Sequence, residues 1–243
     1  MRKIALAAPL IAALTAGCQA PDRQSREAEM KSFIMEHPEI IEESMKGLQA
    51  RRMAAKTEAT RVALRTNRGL LERDPRDFVL NPEGKVTVVE FYDYRCAHCK
   101  RVAPEVLKLA DANPDVRFVF KELPIFGGPS QIAARIILSK PARPRTREIH
   151  AEFMDAKALD QATVTRILER HGVDPGSAVV AADDPEIGKH LSDNLALANA
   201  LEIKGTPAFI VEGSVIRGAD LLGLGEAITK ARSKVGPLAL GAP

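Results

Sequence analysis

The chain has 243 residues, 45% of them hydrophobic and 28% charged, with a net charge of +3. That supplies apolar material for one or two packed domains. The charges alternate in sign along the chain instead of clustering, which argues against a nucleic-acid partner. Aromatic residues make up only 4%, Trp is absent, and just three cysteines are present, so their placement carries much of the information.

The chain opens with Arg2 and Lys3 ahead of an apolar run over residues 4–16, too short to span a bilayer comfortably. This is the layout of an export signal, here residues 1–20. It ends Leu14-Thr15-Ala16-Gly17-Cys18, which resembles a bacterial lipobox, with Thr15 where such motifs usually carry Leu. On that reading Cys18 is lipidated and anchors the mature chain to a membrane. The alternative is ordinary cleavage after Ala20. Both routes deliver the protein to the periplasm, an oxidising compartment.

Residues 21–73 are charged and helix-prone, with no strand signal. One short helix is expected over 25–36, interrupted by Pro38. A second is expected over 39–68, with Gly69 as its stop. Ile34, Ile41, Leu48, Ala55 and Val62 recur every seven residues, and Met45 and Ala59 supply the intermediate spacing. This is a heptad-like seam, broken by Arg52 on a seam position and by Gly47, which costs about 1 kcal/mol relative to Ala. Such a stripe must be buried somewhere. It can pack on its own domain or on the same helix of other subunits. The solvating charge around it favours the second, a homo-oligomer formed through residues 22–72.

Residues 74–235 carry the strand signals. After turn signals at Asp74-Pro75 and Asn81-Pro82-Glu83-Gly84, the apolar run Val86–Tyr92 reads as a buried strand. The C-x-x-C pair Cys96 and Cys99 follows, and then a helical pattern through Val102, Val106, Leu107 and Ala110. A strand, a short turn and a helix opening on C-x-x-C form the layout of a dithiol redox site. Cys96 at a helix N-terminus is favoured as a thiolate by unpaired N–H groups and the helix dipole. A structural zinc would need four ligands, and the histidines (His37, His98, His150, His171, His190) lack the spacing to supply them, so no metal is expected. A purely structural bridge closing so small a loop would add little. Glu90 interrupts the strand six residues before Cys96. Buried there, its carboxyl would rise in pKa and could exchange a proton with a nearby thiol.

Pro104 should kink the helix after the cysteines. A strand is expected over 116–123, then helices alone between residues 130 and 200, over 132–138, 145–156, 163–171 and 185–201, with Asp174-Pro175-Gly176 as a break. Strands return at 208–211 and 215–217, joined as a hairpin, and an amphipathic helix covers 221–234. The tail, 236–243, is expected to be disordered. Gly205-Thr206-Pro207, just before the hairpin, is a candidate for a cis-proline turn.

This order of C-x-x-C helix, strand, helical insertion, Gly-Thr-Pro, hairpin and final helix resembles the DsbA-type thiol–disulfide oxidoreductases. The segments carrying the likeness are Glu90-Phe91-Tyr92-Asp93-Tyr94-Arg95-Cys96, Glu122-Leu123-Pro124-Ile125 with Ser130, and Lys204-Gly205-Thr206-Pro207-Ala208-Phe209. The charged helical N-terminus is similar to that of the Com1-like and suppressor-of-copper-sensitivity subgroup. The resemblance implies an α/β thioredoxin fold with an all-helical domain inserted at about 128–200. It implies Cys96 as an exposed nucleophile, Cys99 as the resolving thiol, and His98 as a hydrogen-bond or charge donor to the Cys96 thiolate. It also implies Glu90 as a proton carrier for Cys99, and Thr206 and Pro207 as the substrate-binding edge. Ala97 departs from the proline or glycine more usual between such cysteines.

The function so implied is disulfide exchange with cysteine-containing exported client proteins, served by a membrane redox partner and needing no cofactor. Thr206 and the oligomerising N-terminus point toward isomerase or reductase chemistry, whereas His98 points toward a dithiol oxidase. A non-enzymatic alternative is Cu(I) held by Cys96, His98 and Cys99, or a holdase.

Overall fold

The structure is a computed structural model and describes residues 22–235. Cys18, the export signal and the 236–243 tail lie outside the described residues. By its contacts the chain divides into two units between Ala55 and Lys56.

The first unit is helical. Helix α1 (Arg23–Glu36) starts at Asp22, whose side chain accepts from the Ser25 N–H at 2.7 Å, and ends before Pro38, which disfavours helical geometry in the residue it follows. Helix α2 (Glu39–Thr66) carries Glu39 and Glu42 in its first turn, where the helix dipole favours acids. Lys46 pairs with Glu42 at 2.7 Å, while Glu27 pairs with Arg23 and not with Lys31. No residue of α1 is buried, and Met30, Phe33, Met35, Ile41, Met45 and Met53 are exposed.

The second unit contains the end of α2. The stop expected at Gly69 falls earlier. Asn67 engages the Ala63 carbonyl with both its backbone N–H (3.0 Å) and its side-chain amide (2.8 Å), and α3 (Arg68–Glu72) runs through Gly69. Five strands follow: β1 (Phe78–Leu80), β2 (Val86–Tyr92), β3 (Val116–Glu122), β4 (Ala208–Val211) and β5 (Ser214–Arg217). Their order in the sheet is β1-β3-β2-β4-β5, with β2 and β3 parallel and every other pair antiparallel. The parallel pair requires a crossover, and helix α4 (Ala97–Ala112) provides it. All seven residues of β2 are buried, Thr87 and Glu90 included, as expected for a mainly apolar strand covered on both faces. Val88 and Tyr92 pack with Val102 and Val106 of α4, while Val89 and Phe91 pack on the opposite side with Leu64, Leu71, Leu197 and Leu201. Helix α10 (Leu221–Val235) closes the first face through Leu224 and Ile228.

Strand β1 was not expected. It is three residues long and sits at a sheet edge among turn-forming residues. Asn81 holds the following turn in a left-handed conformation (φ 52°) and donates its amide to the Ala110, Asn113 and Val116 carbonyls. Gly84 completes the turn because a Cβ there would lie 2.2 Å from the Arg117 nitrogen.

Between β3 and β4 lie α5 (Gly128–Leu138), a 3-10 turn (Arg143–Arg145), α6 (Thr146–Asp155), α7 (Gln161–Arg170), α8 (Pro175–Ala182) and α9 (Pro185–Ala200). Helix α8 corrects the expected break at Asp174-Pro175-Gly176. Asp174 is its N-cap, accepting from the Ser177 N–H at 2.8 Å, and Pro175 occupies the first turn, where no donor is needed. Helix α5 begins four residues earlier than expected for a similar reason, with Pro129 in its first turn. Helix α4 continues through Pro104. No helix among the described residues is long and apolar enough to cross a membrane.

Candidate active site

Strand β2 delivers the chain to the N-terminus of α4, where Cys96 is the N-cap. Its sulfur accepts the Cys99 backbone N–H at 3.3 Å and its S–H donates to the Thr206 carbonyl at 3.1 Å. The Thr206–Pro207 bond is cis, and Thr206 is almost fully buried. The site is in its dithiol form. Cys96 is only 3% exposed, which corrects the expectation of an exposed nucleophile. The Thr206 carbonyl lies over the sulfur, an arrangement between residues 110 positions apart that local sequence does not specify. Pro207 leads directly into β4, which pairs with β2 through Phe91 and Ala208, so the sheet itself carries the loop to the cysteines.

The two thiols sit in different electrostatic settings. Cys96 has a backbone N–H aimed at its sulfur, and such a donor stabilises a thiolate. Cys99 is fully buried, and desolvation pushes its thiol well above the usual range, with the Glu90 carboxyl adding to the rise. Glu90 is on the same face of β2 as Val88 and Tyr92, beneath α4, and burial pushes its carboxyl up to about 8. A carboxyl poised near neutrality beside a thiol that resists ionisation is suited to holding and passing a proton.

His98 and Ala97 are exposed. The Nδ1 atom of His98 lies 2.8 Å from Nη2 of Arg101. Among the described residues no cluster of three or more His, Cys, Asp or Glu side chains is arranged to hold a metal ion.

Several residues that hold the site were not singled out by sequence reasoning. The buried Asp93 carboxylate accepts from the Arg95 N–H (2.6 Å), the Ser130 hydroxyl (2.6 Å) and the Phe126 N–H (2.9 Å), tying the turn before Cys96 to the start of α5. Arg95 adds a bond to the Phe126 carbonyl at 2.6 Å. Lys100, next to Cys99, donates to the Phe153, Met154 and Ala156 carbonyls at 2.9, 3.2 and 2.7 Å. It therefore caps the C-terminus of α6, where the helix dipole favours a cation. Its own pKa is lowered by desolvation.

A second buried polar group lies on the same face of the sheet. Tyr92 donates to Glu122, the Tyr92 and Tyr94 hydroxyls are 3.2 Å apart, and the Tyr94 hydroxyl is 3.1 Å from Nδ1 of His150. Burial pushes Glu122 up to about 8 and His150 down to about 3, so both are neutral near pH 7. One Glu122 oxygen has no partner and adjoins a cavity of about 150 Å³ lined by Phe78, Tyr92, Phe120 and Arg143. The signal for Glu122 was the one that exposed Glu90, an acid in an apolar strand. For Asp93 it was a carboxylate between apolar residues just outside a strand. Nothing local marked His150.

Comparison with known proteins places this geometry. The thioredoxin family profile matches residues 74–230. The thiol:disulfide interchange protein DsbA of Azotobacter vinelandii is 27% identical over 137 residues, 54% of this chain and 64% of that protein's length. A thioredoxin-like oxidoreductase from Silicibacter pomeroyi is 38% identical over 69% of this chain and 98% of that one, with a TM-score of 0.65. A linker-deletion mutant of Proteus mirabilis ScsC, 26% identical, covers 90% of this chain and 99% of its own, with a TM-score of 0.67. With its Cys96-Ala97-His98-Cys99 helix, its helical insertion and its Thr206-Pro207 loop, the chain belongs to the DsbA-type branch of the thioredoxin family.

Proposed function

We propose that the chain is an exported thiol–disulfide oxidoreductase that exchanges disulfides with cysteine-containing client proteins through Cys96 and Cys99, in the isomerase or reductase direction. The observation that carries the reading is the pairing of two inequivalent thiols. Cys96 has a helix N-terminus and an aimed N–H on its sulfur, while Cys99 is buried and held as a thiol.

In the exchange the Cys96 thiolate attacks one sulfur of a client disulfide. A Cys96–client bond forms, the client S–S bond breaks, and the second client sulfur leaves as a thiolate. That thiolate can attack another client disulfide. Alternatively, Cys99 gives up its proton and attacks Cys96, forming the Cys96–Cys99 disulfide and releasing the client reduced. Glu90, in its ionised form, is the nearby acceptor for that proton, so this branch gains as pH rises toward about 8. Such an enzyme needs a membrane electron donor to restore the dithiol. Lipidation at Cys18 would keep it close to that donor.

The uncovered apolar stripe of α1 and α2 supports assembly through the N-terminal helices. A homo-oligomer would bury Met30, Ile41 and Met45 and bring several dithiols to one client.

The test is refolding of a scrambled-disulfide substrate by the reduced mature protein, beside Cys96→Ser and an Ile41→Glu/Met45→Glu variant, with mass measured by light scattering. Recovery lost in Cys96→Ser, and reduced when the stripe is charged and the oligomer dissociates, is the expected result. No recovery, with rapid oxidation of a reduced peptide by the disulfide form, would assign the protein as a dithiol oxidase. A monomeric wild type would remove the proposed role of the helices.

A further inference from the structure

We propose that the cleft between the edge of the sheet and the helical insertion is a second binding site, for a monocarboxylate that carries an apolar chain. The carboxylate is held at Glu122, Arg76 and Arg143, and the chain lies along Leu138, Val180 and Ile187. Neither cysteine lines the cleft, and the site does not rest on their assignment. Its inner part is the cavity of about 150 Å³ beside Glu122, with β1 and β3 on one side and the connection from α5 to α6 on the other. A cavity of that size takes a group about as large as benzene. Its outer part is a groove of about 660 Å³. Arg76, Leu138 and Arg143 line both parts and so form the passage between them.

The inner part gathers donors that have no acceptor. Oε1 of Glu122 accepts from Tyr92, while Oε2 is buried without a partner. Burial keeps this carboxyl protonated near pH 7, so Oε2 holds a proton that calls for an acceptor. Leaving such a bond unmade at a buried group is costly. Two guanidinium groups face the same space. Arg76 spends Nε and Nη2 on Asp74 and Asp193, with Nη1 uncommitted. Arg143 makes one long bond, from Nε to the Leu138 carbonyl at 3.5 Å, and pairs with no carboxylate among the described residues. A carboxylate answers all three groups. It accepts from Glu122 and from a guanidinium fork, and its charge offsets that of Arg143. A water molecule would accept from Oε2 but would bring no charge to Arg143.

The groove decides what the carboxylate is attached to. Its walls are aliphatic, with Leu138 from the end of α5, Val180 and Ala181 from α8, and Ile187 from α9. Val180 is 76% exposed, an apolar side chain that nothing in the fold covers. His190, at the floor, is turned to Asp77 at 3.1 Å. The outer rim sets Lys140 against Asp184 and Glu186, so it gives no net attraction to a second anionic group. One charged head followed by an aliphatic chain therefore matches the cleft from its inner end to its mouth.

The experiment titrates the full mature chain, in its reduced form, with butanoate, hexanoate, octanoate and octan-1-ol. The methyl groups of Leu138, Val180 and Ile187 are followed by NMR. The octanoate and butanoate titrations are repeated on Arg143→Met, Val180→Glu and Cys96→Ser. Arg143 and Val180 are both exposed, so their substitutions leave the core intact. Octanoate should shift the three methyl groups saturably, and affinity should rise by up to about fourfold for each methylene added to the acid. Removing the carboxylate, as in octan-1-ol, or the guanidinium, as in Arg143→Met, should each weaken binding by about ten- to hundredfold, the range of a hydrogen bond to a charged group. Val180→Glu should weaken octanoate more than butanoate, because the short acid stays in the inner cavity. Cys96→Ser should bind as the wild type does, which keeps the result independent of disulfide exchange. The absence of saturable octanoate binding would overturn the proposal. So would equal binding of octan-1-ol, or an affinity that Arg143→Met does not move.

Discussion

Replacing Glu122 with Gln should reverse the sign of its effect on stability between acid and alkaline pH. In the folded protein burial raises the Glu122 carboxyl from its ordinary 4.5 to about 8. The native state then holds a proton that the unfolded chain releases above pH 4.5. A group whose folded pKa is raised contributes stability that is complete below the unfolded value and is lost as pH rises toward the folded one. One such proton gives a slope of about 1.4 kcal/mol per pH unit, so the whole window from 4.5 to about 8 is worth on the order of 5 kcal/mol at most. Gln cannot ionise, and the window disappears from its contribution. The amide keeps an acceptor for the Tyr92 hydroxyl, but it places an NH2 where the second Glu122 oxygen has no partner, a cost of about 1–3 kcal/mol. At pH 5 the variant should therefore be the less stable protein, and by pH 8 the more stable. Urea unfolding of the reduced form at pH 5, 6, 7 and 8 reads this directly. Parallel curves for wild type and Glu122→Gln would refute a neutral Glu122 in the native state.

Other substitutions test the framework around the cysteines. Lys121 is buried, with Asp77 Oδ2 at 2.6 Å, and His190 Nε2 approaches the other Asp77 oxygen at 3.1 Å. Lys121→Met should cost about 3 kcal/mol or more, roughly 6–12 °C in Tm by calorimetry, because Asp77 loses its buried countercharge. Lys100→Met should cost on the order of 2 kcal/mol, since three carbonyls at the end of α6 lose a cationic donor. Hydrogen exchange should then quicken in the last turn of α6 before it does in the sheet. Asp93→Ala removes the acceptor for the Arg95 and Phe126 amides and should abolish their exchange protection while slowing disulfide exchange; unchanged protection would show that the carboxylate does not hold the turn. In Glu90→Gln, resolution of a Cys96 mixed disulfide by Cys99 should slow at pH 7, as followed by stopped-flow fluorescence of a labelled peptide. An unchanged rate would remove Glu90 from the proton path.

The sequence by itself determined the features whose causes are local. The apolar run Val86–Tyr92, interrupted only by Thr87 and Glu90, had to be a buried strand, and Cys96 and Cys99 at the head of an amphipathic pattern had to open a helix. Glu90 was conspicuous as a charge in an apolar run, and the order of elements was enough to reveal the family resemblance. Four of the five insertion helices were legible from their periodicity, and α8 was not. Their first turns were less so, because Asp174-Pro175-Gly176 serves equally as a break and as the start of α8.

Tertiary structure decided what depends on residues far apart in the chain. Cys96 is covered because β4 pairs with β2 and carries the Thr206 carbonyl to its sulfur across 110 positions. Strand β1, with three residues, gains its identity from the edge of β3 that it pairs with. Lys100 looks like an ordinary surface lysine until α6 ends beside it. His150 becomes a neutral partner for Tyr94 through burial against a strand some thirty residues earlier in the chain. These groups acquire their chemistry from desolvation and from donors and acceptors supplied by other elements, and neither quantity is encoded in a local pattern of residues.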